Sequence, residues 1–200
     1  MDSELSMQSH ISKITSACFY HLRKLRQIRN YVTQEVMAQL VTSLVISRID
    51  YCTSVLAGLP ASTLAPLQRV QNAAARLVLN LDRRSHITPA LQQLHWLPVK
   101  YRIIFKIATL MRHILHNGCP SYLVDLVAFN TADSHRRQLR SSHTRAAIVR
   151  RTRTQFGKRA FSACGPNIRN SLPPAVRNID SHPAFRRALK SHLFQCAFLA

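Results

Sequence analysis

The fold is predicted from the stretch Leu67-Gln68-Arg69-Val70-Gln71-Asn72-Ala73-Ala74-Ala75-Arg76-Leu77-Val78. Its apolar residues recur at steps of three and four, which places one apolar stripe along an α-helix. Leu64 and Leu81 extend that stripe on either side. Arg69 and Arg76 are seven residues apart and therefore share the outer face of the helix. The consecutive alanines allow a neighbouring helix to pack closely against it.

Similar spacing predicts further helices on both sides of this stretch, so the chain is predicted to be mainly α. One helix follows the stripe from Ile11 to Ile28, and a second begins after Thr33, a typical N-cap residue, and ends at Gly58. The remaining predicted helices are a short one opened by Thr88-Pro89, one after Pro98 that Asn117-Gly118 closes, a turn from Tyr122 to Val127 and a last helix from about Ser181.

After residue 127 the composition changes and the helical period fades. Residues 130–151 are rich in Ser, Thr, His and Arg, which predicts an exposed and irregular segment. Gly165-Pro166 and Leu172-Pro173-Pro174 are predicted breaks. We therefore predict a helical module at 1–127 and an arginine-rich, irregular C-terminal segment at 128–200 that ends in a helix.

The chain is strongly basic, with 28 Lys and Arg against 8 Asp and Glu and a formal charge of +20. Half of the basic residues follow Asp133, where Asp180 is the single acid. Such self-repulsion favours a polyanionic partner. Lys and Arg side chains that neutralise phosphates release bound counterions and so gain affinity, which makes RNA, DNA or an RNA–DNA hybrid the first candidates. An anionic membrane surface is the alternative. We predict nucleic acid as the partner, because the basic residues after Asp133 are nearly all arginine, whose planar fork binds phosphate and can stack on bases. No apolar run in the sequence reaches the length of a membrane span.

The predicted phosphate-binding residues are basic side chains on outer helix faces or in the arginine-rich segment. They are Arg69, Arg76, Arg136, Arg137, Arg140, Arg150, Arg151, Arg153, Lys158 and Arg159. For Arg69 and Arg76 a solvated helix face is an equal alternative. Near the last five, threonine hydroxyls can add hydrogen bonds to phosphate. Phe156 and Phe161 can stack on unpaired bases, although a small hydrophobic core is the preferred interpretation. The same run is typical of a nuclear localisation signal.

The sequence predicts neither catalysis nor a bound cofactor. Its four glycines form no phosphate-binding loop, and its eight acids are scattered singly, so no paired-carboxylate site is predicted. The spacing His113-x-x-His116-x-x-Cys119 can bring metal ligands together, but zinc knuckles use closely spaced cysteine pairs, so surface histidines are the preferred interpretation.

The five separated cysteines predict reduced, mostly buried thiols in an intracellular protein. Trp96 is predicted to anchor a turn.

Several blocks of the chain form an ordered set. They are Ser47-Arg48-Ile49-Asp50-Tyr51-Cys52-Thr53-Ser54-Val55-Leu56-Ala57-Gly58-Leu59-Pro60, the stretch from Leu67 to Val78, Leu94-His95-Trp96-Leu97-Pro98-Val99, Pro120-Ser121-Tyr122-Leu123, the run from Arg151 to Phe161, Gly165-Pro166, Asn170-Ser171-Leu172-Pro173 and the run from Phe185 to Lys190. This set resembles, in order and spacing, the region after the polymerase core in reverse transcriptases of non-LTR (LINE) retrotransposons of the jockey-like branch.

The resemblance implies a thumb and the region that follows it, hence a non-catalytic fragment of an RNA-directed DNA polymerase. In that family an endonuclease, fingers and a palm come first, and the aromatic-x-Asp-Asp palm signature does not occur in this sequence. Asp50 cannot replace it, because one carboxylate cannot hold the two metal ions of phosphoryl transfer. The resemblance further implies binding to the backbone of template RNA or of the hybrid without sequence readout. The absent palm and fingers are further implied partners.

One position departs from the family pattern, since the tryptophan that the family has next to Asn170 is absent. Loss of a large aromatic side chain predicts weaker local packing. Two other interpretations therefore stay open. The chain is then either the translated relic of a dead element with no selected function, or a small metal-binding or adaptor protein.

Overall fold

The computed structural model describes residues 7–51, 53–116, 118–129 and 146–199. These residues are mainly α-helical, which confirms the predicted fold class, and Phe129 and Ala147 form an isolated antiparallel bridge. By their contacts they form two compact units, Met1–Arg102 with Ala197–Ala200, and Ile103–Cys196. We call these the first and the second unit. The boundary predicted near residue 127 rests on composition and stays a prediction.

The first unit is built from the helices that precede residue 103. They are α1 (Gln8–Gln27), a 3₁₀ turn (Arg29–Tyr31), α2 (Gln34–Val41), a π turn (Thr42–Ile46), α3 (Ser47–Asp50), a second 3₁₀ turn (Thr53–Leu56), α4 (Ala61–Leu79), α5 (Ile87–Gln93) and the beginning of α6 (Val99–Leu115). The stripe predicted for α1 is buried at Ile11, Cys18, Leu22 and Leu25.

Helices α1 and α4 pack side by side and run in the same direction. The first half of α1 lies beside the start of α4, where Ser12 and Ser62 line one cavity. The end of α1 lies beside the end of α4, where the Arg29 guanidinium donates to the Leu77 carbonyl oxygen at 3.0 Å. Leu67, Val70, Ala74 and other apolar residues of α4 are buried, as its stripe predicts.

The predicted helix ends of the first unit are confirmed in part. The Thr33 hydroxyl accepts from the Val36 N–H and caps α2. The predicted end of the second helix at Gly58 is wrong, because the helix stops at Asp50 and a separate 3₁₀ turn (Thr53–Leu56) precedes Gly58, whose φ of 70° is a conformation that glycine tolerates. Thr88 as the N-cap of α5 is wrong, because the cap position is His86 and Thr88 lies inside the helix. Trp96 packs against Ala75, Ala90 and Leu91 beside a turn, as predicted.

The C-terminal segment contains more helix than the sequence predicts. After the remainder of α6 and α7 (Ser121–Val124), the described residues form α8 (Gln155–Arg159), α9 (Phe161–Ser171), α10 (Pro174–Arg177) and α11 (His182–Phe198). The predicted inward side of the last helix is confirmed, since Phe185, Leu189 and Leu193 are buried. Among all described helices, none has both the length and the apolar character needed to cross a lipid bilayer.

The break predicted at Gly165-Pro166 is wrong, because both residues lie inside α9. Gly165 is buried against Met111 of α6, and a Cβ at this position would lie 2.7 Å from the Met111 Sδ. The glycine is therefore required by close packing within the second unit rather than by a turn. Only the next break, after Ser171, ends a helix.

Two arginines are buried in the second unit. The Arg112 guanidinium donates to the carbonyl oxygens of Ile179 and Asp180 and lies 4.9 Å from the centre of the Phe185 ring. Arg169 directly precedes Asn170 and is 1% exposed. Its guanidinium lies 5.5 Å from the centre of the Phe129 ring. A long flat side chain thus fills this position in the core.

Candidate nucleic-acid interface

An elongated groove of about 820 Å³ lies along the second halves of α1 and α4 in the first unit. We call it the arginine groove. Six arginines line it: Arg23, Arg26, Arg29, Arg69, Arg76 and Arg83. Phe19, Leu22, Ala73, Leu77 and Leu81 give it an apolar floor. No acidic side chain of the described residues lines the groove, and the neighbouring Asp82 carboxylate accepts from the backbone N–H of Arg83 at 2.7 Å.

Two of the six arginines have a structural role as well. The Arg29 guanidinium donates to the carbonyl oxygens of Leu77 and Val78, at 3.0 and 3.2 Å. These carbonyls belong to the last turn of α4, which lacks partners within the helix and carries the negative end of the helix dipole. Arg76 donates to the Ser85 carbonyl oxygen at 3.0 Å and so holds the loop that follows α4.

Four arginines leave their guanidinium groups available to a ligand. Arg23, Arg26, Arg69 and Arg83 are exposed, and their side chains form no hydrogen bond or ion pair with any described residue. Arg76 adds an unmatched donor, because its Nε is buried and has no partner among the described atoms. Guanidinium groups bind phosphate with two parallel hydrogen bonds. The groove therefore offers several phosphate-binding forks above an apolar floor.

Amide groups supplement the charges of the groove. Asn30, Asn72 and Asn80 line it. The Oδ1 of Asn72 accepts from Gln68 at 2.8 Å, which fixes the orientation of the amide and leaves its NH₂ group without a described partner. Gln68 is itself held by the Val99 N–H at 2.9 Å. The α4 wall of the groove is therefore held in place by a polar network beneath it.

The second predicted basic site lies in the second unit. Arg150, Arg151, Arg153 and Lys158 are exposed, and Arg159 is half-buried. Thr154 caps the short helix α8 by accepting from the Gly157 N–H at 3.0 Å, so the basic side chains surround a helix terminus. The remaining predicted site residues, Arg136, Arg137 and Arg140, lie outside the described residues.

Phe156 is not part of a small core, which corrects the preferred interpretation of the sequence. It is 57% exposed, and the Arg159 guanidinium lies 5.8 Å from the centre of its ring. Phe161 is half-buried. An exposed aromatic ring beside a cation is an arrangement on which an unpaired base can stack.

Two described histidines of the second unit, His113 and His182, pack against each other near arginines. Among the residues that the structure describes, no group of three or more His, Cys, Asp or Glu side chains is placed to hold a metal ion. Instead, His113 packs against His182 at the start of α11, with 4.5 Å between the ring centres. Partial burial, followed by the positive charges of His113, Arg186, Arg112 and His116, lowers the pKa of His182.

The described cysteines are free thiols, as predicted. Cys18 and Cys164 are buried, and Cys119 and Cys196 are half-buried. Burial raises the pKa of Cys18, an effect that the charge of Arg48 partly offsets, and it raises the pKa of Cys164. Such thiols are poor nucleophiles. Cys52, also predicted to be a core thiol, lies outside the described residues.

The chain matches no protein-family model, no curated protein and no solved structure. The family resemblance of the sequence blocks therefore stays a prediction. Of the predicted residues, Arg69 and Arg76 line one groove, but the sequence did not identify Arg23, Arg26, Arg29 and Arg83 as their neighbours. The available signal was the position of Arg23 and Arg26 off the apolar stripe of α1, which does not reveal the partner helix.

Proposed function

We propose that this chain binds the phosphate backbone of nucleic acid through the arginine groove, without reading the base sequence. The observation that carries the proposal is the composition of the groove, in which six arginines meet no acidic side chain of the described residues. Neutralising phosphates releases counterions, which supplies affinity for any polynucleotide. Contacts of this kind position a strand but carry no sequence information.

The proposal includes an origin for the chain. We propose that it is a non-catalytic part of a non-LTR retrotransposon reverse transcriptase, namely the thumb and the region after it. The support is the ordered set of sequence blocks, one of which contains both Arg69 and Arg76. In the intact polymerase such a module would hold template RNA or the RNA–DNA hybrid against a palm. The proposed location is the nucleus, where the element would be copied.

The basic run of the second unit is a second proposed contact. Arg150, Arg151, Arg153 and Lys158 are exposed and lie close in sequence to the exposed ring of Phe156. Charges together with an aromatic ring are typical of surfaces that bind single strands. The same residues are proposed to form the nuclear localisation signal.

The salt dependence of binding tests the proposal. The four available arginines of the groove contribute a slope of about −3 to a plot of log affinity against log salt, since each phosphate contact on a single strand contributes about −0.7. A fourfold rise in salt concentration then weakens binding by about 50-fold. Fluorescence anisotropy with a labelled oligonucleotide of mixed sequence measures the slope directly.

Three variants with conservative charge loss localise the contact. The double variant Arg23→Gln/Arg69→Gln should reduce the magnitude of the salt slope by about 1.4. The triple variant Arg150→Gln/Arg151→Gln/Arg153→Gln should reduce it by about 2, which tests the second proposed contact. The matched control is Arg187→Gln/Lys190→Gln, which removes two exposed charges of α11 that line neither site. Affinity that does not depend on salt, or an equal loss in the control, would overturn the proposal.

A further inference from the structure

A second cavity continues the line of the arginine groove. It has a volume of about 410 Å³ and lies between the first halves of α1 and α4. We call it the hydroxyl pocket, because most of its polar lining consists of Ser and Thr side chains. The lining is Gln8, Ile11, Ser12, Thr15, Ser16, Ser62, Thr63, Pro66 and Arg69. Arg69 is therefore the single charged residue of the pocket among the described residues.

Arg69 lines both cavities and marks their junction. Residues between 8 and 16 of α1 line the pocket, and residues between 19 and 30, from the same helix and the turn after it, line the groove. Since the two helices run in the same direction, the cavities lie end to end along one seam. From Ser12 to Arg29 the seam extends about 26 Å, at 1.5 Å per helical residue.

The hydroxyl groups of the pocket are chemically available. The Thr15 hydroxyl donates to the Ile11 carbonyl oxygen at 2.7 Å and is engaged within α1. The side chains of Ser12, Ser16, Ser62 and Thr63 form no hydrogen bond with any residue that the structure describes. A hydroxyl both donates and accepts, so it can bond to phosphate oxygens and to sugar oxygens.

We propose that the hydroxyl pocket and the arginine groove form one continuous track for a single polynucleotide strand, with Arg69 holding the phosphate at their junction. The proposal rests on the phosphate binding proposed for the groove. Along 26 Å a stacked strand places about eight nucleotides, at 3.4 Å each, and a stretched strand places fewer. The charged part of the track binds the strand, and the hydroxyl part adds hydrogen bonds beyond Arg69.

The apolar floor of the groove selects a single strand over a duplex. Phe19 and Leu81 are 37% and 38% exposed there. In a duplex the bases face each other, so only the sugar–phosphate backbone would cover these side chains. A single strand can turn its bases towards the floor and stack one of them on Phe19.

The experiment compares two lengths of the same pyrimidine oligonucleotide, about four and about ten nucleotides, on the full chain. Ser16→Asp places a negative charge in the pocket, and it should weaken binding of the longer strand about tenfold by repelling its phosphates. The shorter strand can bind to Arg23, Arg26 and Arg83 without entering the pocket, so Ser16→Asp should weaken its binding much less than that of the longer strand. Ser43→Asp is the matched control, because Ser43 is exposed in the first unit and lines neither cavity.

A second variant, on the α4 wall of the pocket, keeps the test valid where Ser16→Asp impairs folding. Ser62→Asp lies in the first turn of α4, where a negative charge is compatible with the helix dipole, and it should give the same length-dependent loss. An unchanged affinity of both variants for the longer strand would overturn the track, and so would equal losses at both lengths. A duplex that binds as tightly as the single strand would overturn the choice of ligand. Failure of the proposed function is distinct, since the shorter strand would then show no salt-dependent binding at all.

Discussion

Replacing Arg112 by methionine should destabilise the protein by about 2–4 kcal/mol. Arg112 is 3% exposed and donates to two carbonyl oxygens of the segment that precedes α11. Methionine keeps much of the apolar stem but removes both donors and the cation above the Phe185 ring. Burial lowers the pKa of Arg112, an effect that the charge of Asp180 partly offsets, and arginine stays protonated at neutral pH.

The magnitude follows from the contacts that are lost. Each hydrogen bond to a charged group contributes about 1.5–3 kcal/mol, so two contribute about 3–6 kcal/mol. Asp180 is exposed, so water can donate a hydrogen bond to its carbonyl oxygen in place of the lost guanidinium, which lowers the net loss of stability. Loss of the cation–π contact adds about 0.5–2 kcal/mol. Methionine also removes the cost of desolvating a buried guanidinium group, which offsets part of this loss and leaves about 2–4 kcal/mol.

Urea unfolding followed by far-UV circular dichroism measures this free energy. Lys106→Met is the matched control, because Lys106 is an exposed basic residue of the same helix and its loss should change the free energy of unfolding by less than about 0.5 kcal/mol. Arg112→Lys should fall between the two, since one ammonium group cannot reach both carbonyl oxygens in the same planar fork. A free energy of unfolding for Arg112→Met equal to that of the control would refute the reasoning.

Three further changes follow from the structure. Gly165→Ala should lower the free energy of unfolding by about 1–3 kcal/mol, because its methyl group displaces Met111, and a smaller side chain in place of Met111 should relieve part of this loss. Because the pKa of His182 is lowered from 6.5 in the folded protein, the unfolded chain binds more protons as the pH falls below about 6.5. Stability should therefore decrease on acidification through that window, and His182→Gln should decrease less, as thermal melts at neutral and mildly acidic pH would show; an identical pH dependence would contradict this. In the native protein a thiol-alkylating reagent should modify Cys119 and Cys196 before Cys18 and Cys164, and mass spectrometry measures the order. The reverse order would show that burial does not protect Cys18 and Cys164.

The helices of the first unit could be predicted because their apolar stripes are continuous. Ile11, Cys18, Leu22 and Leu25 are buried as their spacing requires, and so are Leu67 and other residues on the inner face of α4. Thr33 has the expected capping geometry. Periodicity reports which face of a helix is buried, and this was sufficient to assign the fold class.

The errors occur where packing overrides local preference. Glycine followed by proline is typical of a break, yet α9 continues through Gly165 because Met111 of α6 occupies the space where a side chain would be. Arg112 and Arg169 are charged and yet buried, because carbonyl oxygens or aromatic rings surround them. These contacts join residues that are distant in sequence, such as Arg112 with Ile179 and Asp180, so no local pattern contains them.

The candidate site was only partly predictable for the same reason. The spacing of Arg69 and Arg76 predicts a shared face, but it does not predict that α1 lies beside that face and adds Arg23, Arg26 and Arg29. The excess of charge after Asp133 predicts a basic site in the C-terminal segment, whereas the arginines of the groove belong to the part of the chain before Asp133, which has the smaller net charge. A modest net charge can therefore accompany a concentrated positive surface.

The groove also shows why its arginines would be difficult to replace by lysines. Arg29 uses three nitrogen atoms to reach the carbonyl oxygens of Leu77, Val78 and Val32, and so joins the end of α1 to the end of α4. An ammonium group has no planar fork with which to reach these atoms together. Because that contact fixes the two walls of the groove, the separation of the exposed arginines on α1 and α4 depends on Arg29. Lysine at Arg29 would therefore loosen the surface that we propose to bind phosphate even though the net charge would be unchanged.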